Sequence, residues 1–248
     1  SGLPVPLNVN AGSGEITGTP AAAGTFSVQI SATNASGMGS TTLTLTINPA
    51  APVINSALSA TATAGVGFSY FITATNSPGS FNAAGLPAGL TVNTVTGEIS
   101  GTPAAAGTSS VTLSATNAGG MGNATLTLTV NPPAPVLSSA TSANGTVGTA
   151  FNYTITASNS PLTYNATGLP AGLNVNPSSG LISGTPTVAG LFSVTLSATN
   201  GTGTGTTVLT LDIDPIPPVI TSASAVTATL GVPFHFFITA ANGPTSFD

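Results

Sequence analysis

The sequence predicts an all-β protein made of repeated β-sandwich units, and three observations carry that prediction. One block of 83 residues recurs in register along the chain. Short runs of alternating apolar and polar residues fill each block, and no stretch shows the 3.6-residue period of an amphipathic helix. The period is read from short signatures: Gly2-Leu3-Pro4 returns as Gly85-Leu86-Pro87 and Gly168-Leu169-Pro170, 83 residues apart without a gap. Gly18-Thr19-Pro20 and Ala32-Thr33-Asn34 return at the same offset. A fixed period of this kind is the signature of an array.

Along the middle copy, Pro52-Val53-Ile54 follows the Pro-rich stretch Asn48-Pro49-Ala50-Ala51. In Phe68 to Ala74, the residues Phe68, Tyr70, Ile72 and Ala74 fall on one face of a strand. Asn76-Ser77-Pro78-Gly79 has the composition of a turn. A short strand is expected around Phe81, then the loop Gly85 to Leu90. Thr91-Val92-Asn93 and Glu98-Ile99-Ser100 flank a turn at Thr96-Gly97. Ser110 to Thr116 points Val111, Leu113 and Ala115 inward. Gly119 to Gly122 is expected to turn the chain into Ala124 to Val130, with Leu126, Leu128 and Val130 on one face. Ser59 to Val66, where the copies diverge most, reads as a small, polar loop. About seven short strands at this spacing argue for tandem immunoglobulin-like β-sandwich domains.

The pieces Gly85-Leu86-Pro87-Ala88-Gly89-Leu90, Thr96 to Pro103 and Val111 to Asn117 closely resemble the "putative Ig" repeats of large bacterial surface proteins, relatives of cadherin- and dystroglycan-like Ig domains. The resemblance covers the whole chain. It implies tandem sandwiches in an extracellular or cell-surface protein, often a stalk or adhesin, and it implies no catalytic residue. Cadherin-like calcium sites need clustered acids between domains, which this sequence does not supply.

Composition narrows function further. Average domains are about a quarter charged, whereas here 2% of 248 residues are, with no Lys or Arg and five acids. Nucleic-acid binding rests on cations that neutralise phosphates, so no nucleic-acid partner is expected. Anionic membrane surfaces are excluded likewise, and no apolar run reaches the roughly 20 residues of a membrane helix. The absence of a signal sequence suits a mature secreted segment. With no Cys, stability must come from packing and backbone pairing. Sheet edges are normally guarded by charges, especially Lys. A surface without such guards tolerates close contact with copies of itself and offers trypsin no cut site.

The cut of the chain is out of phase with the unit. Domains beginning after Asn-Pro or Asp-Pro would occupy residues 50–132 and 133–215. Residues 1–49 would be the later strands of one domain and 216–248 the first strands of another. Asp248 aligns with Asn82 and Ser1 with Ala84, so end and beginning would fuse into a domain lacking one residue. The expected subunit-completion interface comprises Val28, Ile30, Leu43, Leu45 and Ile47 on the first piece and Phe234, Phe236 and Ile238 on the last. Left in water, such side chains forgo roughly 1.5–3 kcal/mol each. The expected partner is therefore the chain itself, head to tail, by strand complementation or by covalent continuation. The alternative is an adhesin or carbohydrate-binding stalk with cell-surface glycans as partner.

Chemistry finds little foothold. Glu15 and Glu98 are equivalent, but the third copy has Leu181 there, and Asp212 and Asp214 stand where other copies have Thr or Asn. His235, the only histidine, aligns with Ser69 and Asn152 and should face outward. No metal, cofactor or catalytic site is expected. Asn-x-Ser/Thr sequons at Asn34, Asn123, Asn144, Asn152, Asn165 and Asn200 admit glycosylation in a secreted protein. The aromatics Phe68, Tyr70, Phe151, Tyr153, Phe234 and Phe236 read as core rather than as a sugar platform.

Overall fold

The computed structural model describes residues 1–248, and the chain falls into two compact units, Ser1–Asn131 and Pro132–Asp248. Its regular structure is all strand, and no helix is long and apolar enough to cross a membrane.

The first unit opens with β1 (Asn8–Val9), β2 (Ile16–Thr17), β3 (Gly24–Asn34) and β4 (Gly37–Ile47), paired as two antiparallel hairpins, β1 with β2 and β3 with β4. Seven strands follow: β5 (Ser59–Thr63), β6 (Phe68–Phe71), β7 (Ser80–Ala84), β8 (Leu90–Val92), β9 (Glu98–Gly101), β10 (Gly107–Asn117) and β11 (Gly120–Asn131). They make a complete sandwich with sheets in the order β5-β11-β10-β7 and β6-β9-β8. Every neighbouring pair is antiparallel except β5 with β11. Between the sheets lie Ile72, Ile99, Val111, Leu113, Leu126 and Leu128, in the alternation that a half-buried strand requires.

The second unit repeats this plan with β12 (Ser142–Thr146), β13 (Phe151–Thr154), β14 (Thr163–Thr167), β15 (Leu173–Val175), β16 (Leu181–Gly184), β17 (Gly190–Thr199) and β18 (Thr204–Asp214). Its sheets run β12-β18-β17-β14 and β13-β16-β15 around Ile155, Ile182, Val194, Leu196, Leu209 and Leu211. Beyond them, β19 (Val219–Ile220) and β20 (Ala240–Ala241) form one short antiparallel pair.

Side-chain chemistry explains the recurring signatures. Asn93 Oδ1 accepts the N–H groups of Val95 and Thr96, closing the turn between β8 and β9. Asn10 and Asn176 do the same in their copies. Gly89 and Gly101 bring two backbones together: a Cβ would lie 2.0 Å from the Thr102 oxygen at the first and 2.1 Å from the Gly89 oxygen at the second. Both have positive φ, so only glycine fits without strain. The tyrosines turn their rings to the core while Tyr70 Oη donates to Ala57 O at 2.5 Å and Tyr153 Oη donates to Ala140 O.

Two expectations from the sequence need correction. Ser59–Thr63 is not a loop but strand β5, held by parallel pairing to Thr127–Asn131. The residues Gly119 to Gly122 do not all turn: β11 resumes at Gly120, and Asn117 Oδ1 accepts the Gly119 N–H to tighten the reversal.

Candidate functional site: an open half-sandwich

Residues 1–49 hold the equivalents of β8 to β11 without those of β5, β6 and β7, which sets two long strands beside one short hairpin. Between them runs an open cleft of about 680 Å³ lined by Leu3, Val9, Ile16, Val28, Ile30 and Ala32, among others. Ile30 is 37% exposed there, while its equivalent Leu113 is 0% exposed. Leu43, Leu45 and Ile47 are half-buried, where Leu126, Leu128 and Val130 are buried. Val28 departs from the expectation of exposure: it is buried, with Gly2 set against its backbone.

Residues 216–248 hold the complementary positions. Phe234 is 51% exposed against 8% for Phe151, and Ile238 is 40% exposed against 2% for Ile72. Phe236 is likewise exposed, and with Ile238 and Phe247 it lines a shallow depression of about 330 Å³.

The backbone of the half-sandwich is open along both edges. In the complete sandwich β10 pairs Leu113, Ser114, Ala115 and Thr116 with Ala83, Asn82, Phe81 and Ser80 of β7. On β3 only Gln29 keeps that partnership, exchanging two hydrogen bonds with Ser1. Ile30 to Thr33 face the same edge without a partner strand, and β4 lacks the parallel neighbour that β11 has in β5.

Two repeat positions whose packing role sequence reasoning missed, an Asn and a Gly, differ between the complete sandwiches and this piece. Asn117 Nδ2 donates to the carbonyls of Ala50 and Asn76, and Asn200 Nδ2 donates to those of Pro133 and Asn159. Each amide thus ties the end of the long hairpin to earlier, non-strand segments of its own domain. The equivalent Asn34 keeps only the local bond, its Oδ1 accepting the Ser36 N–H. At the repeat offset the equivalents of Ala50 and Asn76 are Ile216 and Asn242. Likewise a Cβ on Gly122 would lie 1.8 Å from Pro52 O and one on Gly205 2.0 Å from Pro135 O, whereas Gly39 has nothing within 4 Å. The signal for both was recurrence of Asn and Gly at the 83-residue offset, not a local motif.

The remaining candidates take ordinary places. Asp212 and Asp214 are exposed on the outer face of β18, and no group of three or more His, Cys, Asp or Glu residues gathers to hold a metal. His235 is exposed. Phe68, Tyr70, Phe151 and Tyr153 pack on the cores, unlike Phe234 and Phe236. Asn200 corrects the sequon reading, because it is 7% exposed and its amide is engaged in the protein.

Comparison with known proteins agrees with this architecture. The family model described as "Putative Ig domain" matches residues 1–48, 51–131 and 134–214. A serine-rich adhesin for platelets from Staphylococcus aureus is 33% identical over 130 residues, which is 50% of this chain but 6% of the relative. The same adhesin from strain MRSA252 is 33% identical over 130 residues, covering 10% of that protein. The chain therefore spans a small fraction of the curated relatives it matches. Among solved structures, the I67–I69 fragment of titin aligns at a TM-score of 0.57 with 15% identity, over 77% of this chain and 75% of that one. The insect immune protein hemolin aligns at 0.50 with 16% identity, over 76% of this chain and 56% of that one. Likeness at this identity concerns the fold alone.

Proposed function

Because the chain belongs to the putative Ig domain family, we propose that it is a structural, non-catalytic segment of an extracellular filament or sheath. Residues 216–248 of one copy complete the half-sandwich 1–49 of the next. The domains on this reading are 50–132 and 133–215, with the two end pieces joining as a composite third. The observation that carries the reading is the open cleft over β1 to β4, whose counterpart is filled by β5, β6 and β7 in the complete sandwich. By register, Ser246, Phe247 and Asp248 lie opposite Thr33, Ala32 and Ser31, and residues 225–229 run parallel to β4. Phe234 and Ile238 then take the core-facing places of Phe68, which is half-buried, and Ile72, which is buried. Strand addition supplies main-chain hydrogen bonds along both edges and removes apolar surface from water. The purified 1–248 chain is expected to sediment as concentration-dependent oligomers and to form linear particles in electron micrographs. A folded monomer at high concentration would overturn the reading.

The similarity to a platelet adhesin favours a second reading, in which the chain is a stalk segment of a large surface adhesin. The two part on ligand binding: platelet or glycan capture by purified 1–248 supports the adhesin reading, and polymers without capture support the filament.

A further inference from the structure

We infer that Asn82 and Asn165 close the outer edges of β7 and β14, so that a strand of another copy cannot add there. The inference concerns the two complete sandwiches and rests on no joining of the end pieces. β7 and β14 are the last strands of their four-stranded sheets, paired on one side with β10 and β17 and on the other with no strand. An edge of this kind presents unpaired N–H and C=O groups and is a template for strand addition.

On each edge strand two N–H groups point away from the sheet, and both are taken. The Phe81 N–H donates to Thr94 O at 2.8 Å, and the Tyr164 N–H donates to Pro177 O at 2.9 Å. Thr94 and Pro177 lie in the turns that follow β8 and β15, so these N–H groups face away from β10 and β17. The alternation of an antiparallel ladder then sends the N–H groups of Ala83 and Ala166 to the same edge. No strand meets them. Instead Asn82 Oδ1 accepts the Ala83 N–H and Asn165 Oδ1 accepts the Ala166 N–H, each at 2.9 Å.

Asparagine is depleted in strands, so its place in the middle of both edge strands needs a reason other than propensity. Both side chains stand exposed on the outer face, so core packing does not supply one. A short amide that bonds the neighbouring backbone does. In proteins of ordinary composition a Lys commonly guards such an edge, and this chain has no Lys or Arg. The excluded occupant is a like edge of another copy. Ser80–Ala84 and Thr163–Thr167 carry no charge, so only the loss of free donors stands against their pairing.

The test is residue-resolved amide hydrogen exchange of the full 1–248 chain over a concentration series, with sedimentation of the same samples. Wild type is compared with Asn82→Ala plus Asn165→Ala, with Asn82→Asp plus Asn165→Asp, and with Asn123→Ala. Asn123 is also exposed on the outer face of its sheet, but on β11. In dilute samples Ala83 and Ala166 are expected to exchange roughly two- to ten-fold faster in the alanine pair, the scale of one lost hydrogen bond. The aspartate pair keeps an acceptor oxygen and should match wild type. At high concentration the alanine pair should form larger species, with exchange at Ala83 and Ala166 slowing as strands add. Wild type and Asn123→Ala should show no such slowing. Unchanged dilute exchange in the alanine pair overturns the guard, as does an aspartate pair that exchanges as fast as the alanine pair. Faster exchange with no association at these edges overturns it too, and equal slowing in Asn123→Ala would trace the effect to lost surface polarity instead. Joining of the end pieces is read at other amides, Ile30 to Thr33 and residues 225–238, so its failure and that of the guard are told apart.

Discussion

Single glycines separate a finished sandwich from an unfinished one. Gly122 and Gly205 are pressed by the carbonyls of Pro52 and Pro135, so each is a point where the first segment of a domain crosses its long hairpin. Neither has the positive φ that would itself demand glycine, and neither does Gly39. The cost of a methyl group is therefore set by the neighbour alone. Gly122→Ala should destabilise its sandwich by about 1–3 kcal/mol, the usual toll of overpacking. That shifts melting by roughly 4–8 °C per kcal/mol in a domain of this size. Gly39→Ala should leave the melting of the dilute chain unchanged, because no atom lies within 4 Å of the added carbon. It should weaken association between copies instead, since Pro218 then occupies the place that Pro52 holds at Gly122. Thermal melts of both variants, with sedimentation of the second, check this. Equal melting losses in the two would mean that Gly39 is already covered.

At the scale of elements, the long hairpins carry the cores and the short strands close them. β10 with β11, and β17 with β18, supply most of the fully buried side chains, including Leu113, Leu126, Leu196 and Leu209. The hairpin of β3 and β4 has the same sequence pattern and register but lacks the covering strands. Leu126→Ala is expected to cost about 2–5 kcal/mol. Leu43→Ala, at the equivalent but half-buried place, should cost well under half of that in the dilute chain; chemical denaturation read by a probe in each sandwich compares them. These hairpins were legible because bulky residues alternate along them and the alternation is local. β5 was not legible, since Ser59–Thr63 offers only Ala60 and Ala62 to the core and owes its conformation to a distant parallel partner. The amide of Asn200 was misread for a related reason. A sequon is a three-residue pattern, whereas the carbonyls that bury this amide come from Pro133 and Asn159. The exposure of Ile30, Phe234, Phe236 and Ile238 was legible from the repeat phase. Val28 was not, because its burial depends on the Gly2 segment lying across it.

For the molecule as a whole, sparse charge and open strand edges act in one direction. With 2% charged residues, little electrostatic repulsion opposes the approach of two copies. The apolar residues Ile30, Phe234 and Ile238 of the end pieces are exposed, and on the proposed completion they lose water contact when copies meet. The stability of those pieces should thus follow mass action, while that of the complete sandwiches should not. Amide hydrogen exchange reads this directly, because local opening sets the rate in each region. In dilute solution β3 and β4 should exchange far faster than β10, β11, β17 and β18, despite the shared hairpin register. Raising the concentration should slow exchange at Ile30 to Thr33 and across residues 225–238 together, because the two pieces protect each other. The complete sandwiches should keep the same rates throughout. If β3 and β4 are already as protected as β10 and β11 in the most dilute sample, the half-sandwich is closed within its own chain and copies have no edge to join.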